Sequence, residues 1–234
     1  MKLGDVISYL EMSVEEGCSL QRGMNFKLGE SYSIILMSLR PNAPYADRIE
    51  DDGKILIYEG HDIPKTKDID YPKLNNQVLT NPTGSITQNG KFFNAAQEYK
   101  SKKINPELVK VYEKIKSGIW VFNGFYNLVD SWSENSNNRI VFKFKLELRD
   151  DIDKSTSKSR EKNRSELVHN RIIPTSVKLE VWKRDKGKCV DCGSNDNLHF
   201  DHILPYSKGG TSLKSENIQL LCARHNLSKS NKIQ

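Results

Sequence analysis

Two pairs of metal-ligating side chains stand near the C-terminal end of the chain, Cys189-Val-Asp-Cys192 and Cys222-Ala-Arg-His225. Within each pair two residues separate the ligands, a spacing that lets both reach one ion, and together the pairs supply a Cys3His set. Such a set closes a tetrahedral zinc site, and in a unit of about 60 residues bound zinc supplies folding free energy that a small core lacks. Gly193 after the first pair and Lys186-Gly187-Lys188 before it suit a tight knuckle. Cys18 stands apart from these three, so the cysteines do not form a disulfide framework. Between the pairs lie Phe200-Asp201-His202-Ile203-Leu204-Pro205, Gly209-Gly210 and Glu216-Asn217-Ile218-Gln219-Leu220-Leu221, with Asn226 and Lys229 just after. Histidine suits proton transfer near neutral pH, and carboxylate and amide oxygens suit hard cations.

Charge follows the same segment. The formal net charge is +6; residues 1–150 hold 20 Lys+Arg against 20 Asp+Glu, and residues 151–234 hold 16 against 10. The whole excess therefore belongs to the C-terminal third, which implies an anionic partner, with nucleic acid first and an anionic membrane surface second. Apolar residues make up 36% and charged residues 28%, values that place the chain among globular proteins. The longest apolar run, Ile34 to Met37 within Ser31 to Leu39, falls far short of the roughly 18 to 20 residues of a membrane span. Asp5, Glu11, Glu15 and Glu16 interrupt what would be the apolar core of a secretory signal, so an intracellular, cytoplasmic protein is expected.

The C-terminal segment resembles the HNH endonucleases of the zinc-containing ββα-metal type. The stretches VWKRDKGKCVDCG, FDHILPYSKGG, ENIQLLCARHN and LSKSNK, within about residues 174–234, carry the resemblance. His225 stands where many members have a fourth cysteine, and zinc accepts either ligand. Hydrolysis of a phosphodiester needs a nucleophilic water and stabilisation of the charge that develops on the phosphate. The resemblance implies that His202 is the general base and that Asp201 and Asn226 hold one divalent ion, magnesium or manganese. It also implies that Asn217 braces the loop and orients the histidine, and that Lys229 contacts phosphate. His199 lies three residues before His202 and so on the opposite face of a strand, which makes it a surface histidine. His61 and His169 have no partners that the sequence identifies.

A second resemblance covers most of residues 30–149. Tyr45-Ala-Asp-Arg-Ile-Glu-Asp-Asp-Gly53, Ile57-Tyr58-Glu-Gly60, Asn76-Gln-Val-Leu-Thr-Asn81 and Val121 to Trp132 are similar to the SRA domain, also called YDG. That family flips a modified cytosine out of duplex DNA into a pocket of a curved sheet. Reading an extruded base calls for aromatic faces to stack on it and polar groups for its edge. By this resemblance Tyr45 and Tyr58 sandwich the base and Asp47 accepts from the cytosine amino group. The Tyr45 to Gly53 interval is one residue longer than in that family, which keeps Asp51 and Asp52 open as alternatives. The namesake Tyr-Asp-Gly reads Phe122-Asn123-Gly124 here.

The elements that must carry these residues can be read from patterning. Residues 31–39 and 54–60 are β-branched runs that predict strands flanking a long acidic loop. Asn105 as N-cap, Pro106 at the first helical position, Leu108, Val111, Tyr112 and Ile115 at helical spacing, and Gly118 as a stop predict a short amphipathic helix. Asn123-Gly124 predicts a tight turn between two strands, and Arg139 to Leu148 alternates as a strand. Residues 150–170 are almost free of apolar side chains and read as a linker.

The expectation is therefore an α+β protein. Residues 1–149 form an SRA/PUA-like curved β-barrel with helices that reads a modified base, and 150–170 form a linker. Residues 171–234 form a small zinc-stabilised HNH domain. The two resemblances together imply a prokaryotic restriction endonuclease that binds 5-methylcytosine or 5-hydroxymethylcytosine in double-stranded DNA. A second copy of the chain, as a homodimer, is expected for cutting both strands. The rival expectations are an HNH endonuclease recognising unmodified sequence, and a modified-DNA-binding module that does not cleave.

Overall fold

The computed structural model describes residues 1–20, 22–28, 31–67, 69–149, 172–205 and 208–229. The fold is α+β, as expected. The expected linker and His169 lie outside the described residues.

One large sheet dominates. Its strands are β1 (Val6–Ser8), β2 (Met24–Asn25), β3 (Ser33–Met37), β4 (Arg48–Glu50), β5 (Ile55–Glu59), β6 (Glu107–Lys116), β7 (Ile119–Ser136) and β8 (Arg139–Leu148). They run in the order β2-β3-β6-β7-β8-β5-β4, with β1 added on β7. All neighbours are antiparallel except β3 and β6, which pair in parallel from Ser33↔Val109 to Met37↔Glu113. Helix α1 (Tyr9–Glu15) follows β1, and its first turn is closed by a capping box between Ser8 and Glu11. Helix α2 (Gln88–Lys100) starts at Thr87, whose side chain accepts from the Gly90 amide. It lays Phe92, Ala95 and Ala96 on one sheet face against Ile35, Tyr58, Val109, Val111, Tyr126 and Phe144. The other face buries Met12, Leu20, Ile34, Tyr112, Trp120 and Phe122.

Two expectations are corrected here. The segment expected as a helix over Asn105 to Gly118 is strand β6 from Glu107 to Lys116. Its apolar positions satisfy both periodicities over so short a run, and β-branched Val109, Val111 and Ile115 favour the strand once neighbours on both sides supply hydrogen bonds. Asn123-Gly124 is not a turn: β7 continues through it. Val111 pairs with Gly124 and Tyr112 with Phe122, so Asn123 is the extra residue of a bulge, and Gly124 takes the positive φ of +99° that the kink requires. The acidic loop after β3 also contains β4 and a single turn of 3-10 helix, Asp51–Gly53.

The C-terminal segment adds α3 (Thr175–Arg184), the hairpin β9 (Leu198–His202) and β10 (Ile218–Cys222), and α4 (Ala223–Lys229). Its apolar cluster is shared with the large sheet: Ile115 and Val121 pack with Ile173, Val177, Val181, Leu198, Phe200 and Leu220.

Candidate functional site

The two ligand pairs meet. Cys189 and Cys192 sit on a knuckle closed by the Gly193 amide on the Cys189 carbonyl at 2.8 Å, and the Val190 amide ties the knuckle to the Leu220 carbonyl at 3.0 Å. Cys222 ends β10 and His225 stands in the first turn of α4, so the junction delivers both ligands to the knuckle. All four ligand atoms lie within 4.8 Å of one another. The Cys192 and Cys222 sulfurs are 3.8 Å apart, and His225 Nδ1 lies 3.3 Å from Cys189 Sγ and 3.4 Å from Cys222 Sγ. A tetrahedral ion bonded to sulfur at about 2.3 Å and nitrogen at about 2.0 Å sets these edges at about 3.8 and about 3.5 Å. The donor set therefore fits one tetrahedral metal ion. Burial resists ionisation of Cys189, but the Cys222 amide and His225 outweigh it and bring the thiol down to about 6, towards the thiolate that binds metal.

Next to this centre the hairpin carries the second group. Asp201 and His202 end β9 opposite Gln219 and Ile218. Asn217, in the 3-10 turn before β10, clamps the intervening loop: its Oδ1 accepts from the Leu204 amide at 2.8 Å, and its Nδ2 donates to the carbonyls of Leu204 at 3.2 Å and Thr211 at 2.9 Å. The loop returns so closely that a side chain at Gly210 would place Cβ 1.8 Å from the Leu204 oxygen. His202 Nε2 shares a 2.8 Å hydrogen bond with the buried hydroxyl of Ser212, a residue the sequence did not single out. Lys229, expected at phosphate, is buried, and its ammonium donates to Asp201 Oδ2 and to the His202 carbonyl. Asn226 precedes Lys229 by one helical turn, on the same face of α4. Carboxylate and amide oxygens are the donor types a hard cation takes, but here one oxygen of the Asp201 carboxylate is engaged by the Lys229 ammonium. His199 is not a free surface histidine: its Nδ1 lies 2.6 Å from Asp5 Oδ1, and the two residues form a β-bridge.

The large sheet holds a cavity of about 730 Å³ that Tyr45, Asp47 and Tyr58 all line, together with Arg22, His61 and Trp120. Tyr58 is on β5 and fully buried, with its hydroxyl 3.2 Å from His61 Nε2. The His61 ring stacks on Tyr45 at 5.8 Å and 24°, so an imidazole stands against the ring expected to hold a base. Burial lowers its pKa to about 4, which keeps it neutral. No motif flagged His61; its place three residues after Tyr58 is the only sequence signal. Asp47 accepts from the Glu59 amide at 3.0 Å and the Ser38 amide at 3.2 Å, and burial pushes its carboxyl up to about 6 despite those bonds. Asp51 is exposed and pairs with Lys54, outside this cavity, and the Asp52 side chain lies outside the described residues.

A buried ion network fixes the pocket loop. Glu59 Oε2 accepts from Lys143 Nζ at 2.7 Å and from the Ala46 amide at 3.2 Å, and Lys143 donates back to the Ala46 carbonyl at 3.2 Å. Arg139 joins Glu59, at 3.2 Å, to Asp62. Both backbone groups of the residue between Tyr45 and Asp47 are thus held, which presets the two side chains before any ligand arrives.

Residues 189–232 match the HNH endonuclease family model. No curated protein matches the chain. Among solved structures, the SUVH5 SRA domain in complex with methylated CHH DNA aligns at 22% identity and TM-score 0.44, over 64% of this chain and 89% of that one. The same domain bound to fully hydroxymethylated CG DNA aligns at 21% identity and TM-score 0.45, over 69% and 94%. Arabidopsis thaliana SUVH6 in complex with SAM aligns at 18% identity and TM-score 0.41, over 72% and 28%.

Proposed function

We propose that the chain is a modification-dependent DNA endonuclease. In this reading residues 1–149 flip a 5-methylcytosine or 5-hydroxymethylcytosine into the Tyr45–Asp47–Tyr58 cavity, and residues 171–234 hydrolyse a phosphodiester. The observation that carries it is the convergence of those three side chains on one braced cavity, in a chain whose C-terminal segment matches the HNH family model.

The reading assigns each residue a role. Tyr45, against which the His61 imidazole stacks in this structure, would stack on the base in place of that ring, and the Asp47 carboxylate, fixed by two amides, offers an acceptor for the cytosine amino group. His202, held through Nε2 by Ser212, takes the proton of the attacking water. Asp201 and Asn226 would hold magnesium or manganese, which supplies charge stabilisation at the phosphate when bound. Lys229 keeps the Asp201 carboxylate and the end of β9 in place, and Asn217 keeps the loop that follows His202. Cys189, Cys192, Cys222 and His225 would hold zinc, which would tie the knuckle to α4. The excess positive charge of residues 151–234 supplies sequence-independent affinity for the phosphate backbone.

The test is digestion of one plasmid prepared with unmodified cytosine, 5-methylcytosine or 5-hydroxymethylcytosine, each with magnesium or EDTA. Cleavage of a modified form with magnesium, and of no form with EDTA, is expected. Equal cleavage of all three would favour recognition of unmodified sequence, and tight binding of modified plasmid without cleavage would favour a binding module.

A further inference from the structure

The C-terminal segment and the large sheet are joined by contacts that neither DNA binding nor hydrolysis requires. Glu113 on β6 is fully buried and accepts three hydrogen bonds, from Lys178 Nζ at 2.6 Å, Asn123 Nδ2 at 2.8 Å and the Thr175 hydroxyl, while Lys178 Nζ also donates to the side-chain Oδ1 of Asn123 at 2.7 Å. Glu113 and Asn123 belong to the sheet, Thr175 and Lys178 to α3. All four are at most 8% exposed, so this network is closed to water. Asn123 is the extra residue of the β7 bulge. A second junction lies nearby. The Gly4 amide donates to the Phe122 carbonyl at 3.0 Å, and the Phe200 amide donates to the Gly4 carbonyl at 3.2 Å, so one residue hydrogen-bonds to both sheets. The Asp5–His199 pair flanks it at 2.6 Å. Ile115 and Val121 of the large sheet also share one apolar cluster with Val181 and Phe200 of the C-terminal segment.

A buried ion pair is an expensive way to gain stability, and one of its better attested uses is to fix a single arrangement among several apolar packings. Each member here is satisfied by the others, and only this docking satisfies them all. We infer that Glu113, Asn123, Thr175 and Lys178 are positioning residues that hold the nuclease hairpin on the base-reading sheet in its cutting arrangement, so that cleavage falls at one fixed offset from the modified cytosine. This rests on the function proposed above. It adds that the offset is set by the docked interface rather than by the length of the chain at 150–170.

The test locks the interface in the full-length protein. Asp5→Cys with His199→Cys places two cysteines at a bridged antiparallel pair, where about 4.5 to 5.5 Å between Cα atoms suits a disulfide. The oxidised, peptide-mapped protein is expected to cut end-labelled DNA carrying one 5-methylcytosine at the same single position as wild type. Lys178→Met is expected to keep its bound metal and its affinity for modified DNA, yet to spread its cuts over several neighbouring phosphodiesters. A locked protein that binds modified DNA but cuts only after reduction would overturn the inference. So would a folded Lys178→Met variant with the wild-type cut pattern, and if that variant does not fold the locked protein decides alone. Failure of the underlying reading looks different: wild type would then bind and cut modified and unmodified duplexes alike, whatever the state of the disulfide.

Discussion

Acidification from about pH 7 to about pH 5 should remove most of the preference for modified cytosine, because burial raises the Asp47 carboxyl from its ordinary 3.8 to about 6. At pH 7 about ten in eleven molecules carry the carboxylate, and at pH 5 about one in eleven. The part of the affinity that needs this acceptor therefore falls about tenfold, or about 1.4 kcal/mol. The sign for stability runs the other way. A carboxyl raised on folding favours the folded state fully below 3.8 and gives that up as the pH rises through about 6, so Asp47 does not unfold the pocket at pH 5. His61, lowered to about 4, stays neutral across this window. Asp47→Asn supplies the control. The two carboxylate oxygens face the amides of Glu59 and Ser38, so a carboxamide turns an NH2 group towards an N–H donor. That mismatch costs about 1 to 3 kcal/mol, and the variant should show a low preference that does not vary with pH. Fluorescence anisotropy of matched duplexes with and without one 5-methylcytosine, at fixed ionic strength, reads the ratio directly. A wild-type ratio that is flat from about pH 5 to about pH 8, or an Asp47→Asn ratio with the wild-type slope, would refute the reasoning.

Four further outcomes are expected. His202→Ala should lower single-turnover cleavage by about 10² to 10⁴ while modified-DNA affinity and metal content stay at wild-type values. Cys222→Ser should lose the bound metal, seen by elemental analysis, and raise proteolysis of the C-terminal segment, since the site contributes folding free energy and Cys222 joins β10 to α4. Tyr45→Ala should lower the preference for modified DNA by about 1 to 3 kcal/mol with little loss of fold; Tyr58, fully buried in the core, is the poorer probe because its truncation leaves a cavity. Double-strand cleavage should need two chains, because one hairpin supplies one His202; linear plasmid rising with the square of enzyme concentration, alongside sedimentation, checks it.

What could be read from the sequence was chemistry confined to short spans. The metal ligands come in pairs separated by two residues, and Asp201, His202 and Asn217 lie on one hairpin and the turn beside it, so their spacing already encodes their proximity. Strand β6 was misread because ten residues with apolar groups at 108, 111, 112 and 115 fit a helix, and only the strands on either side decide otherwise. Asn123-Gly124 has the composition of a turn, but its partner strand makes it a bulge. Contacts such as Lys178 with Glu113, or Lys143 with Glu59, join residues far apart in sequence and leave no local pattern. Lys229 is expected at phosphate and His199 on the surface, and only the folded hairpin and β1 bring Asp201 and Asp5 to them.

The most direct test of modification-dependent cleavage is the single-turnover rate on two duplexes that differ only by one 5-methylcytosine, with wild-type protein, magnesium and fixed salt. On the proposed reading the modified duplex should be cut faster at subsaturating enzyme, and a preference of about 1 to 3 kcal/mol corresponds to a rate ratio of about 5 to 150. Equal rates on the two duplexes would contradict the account.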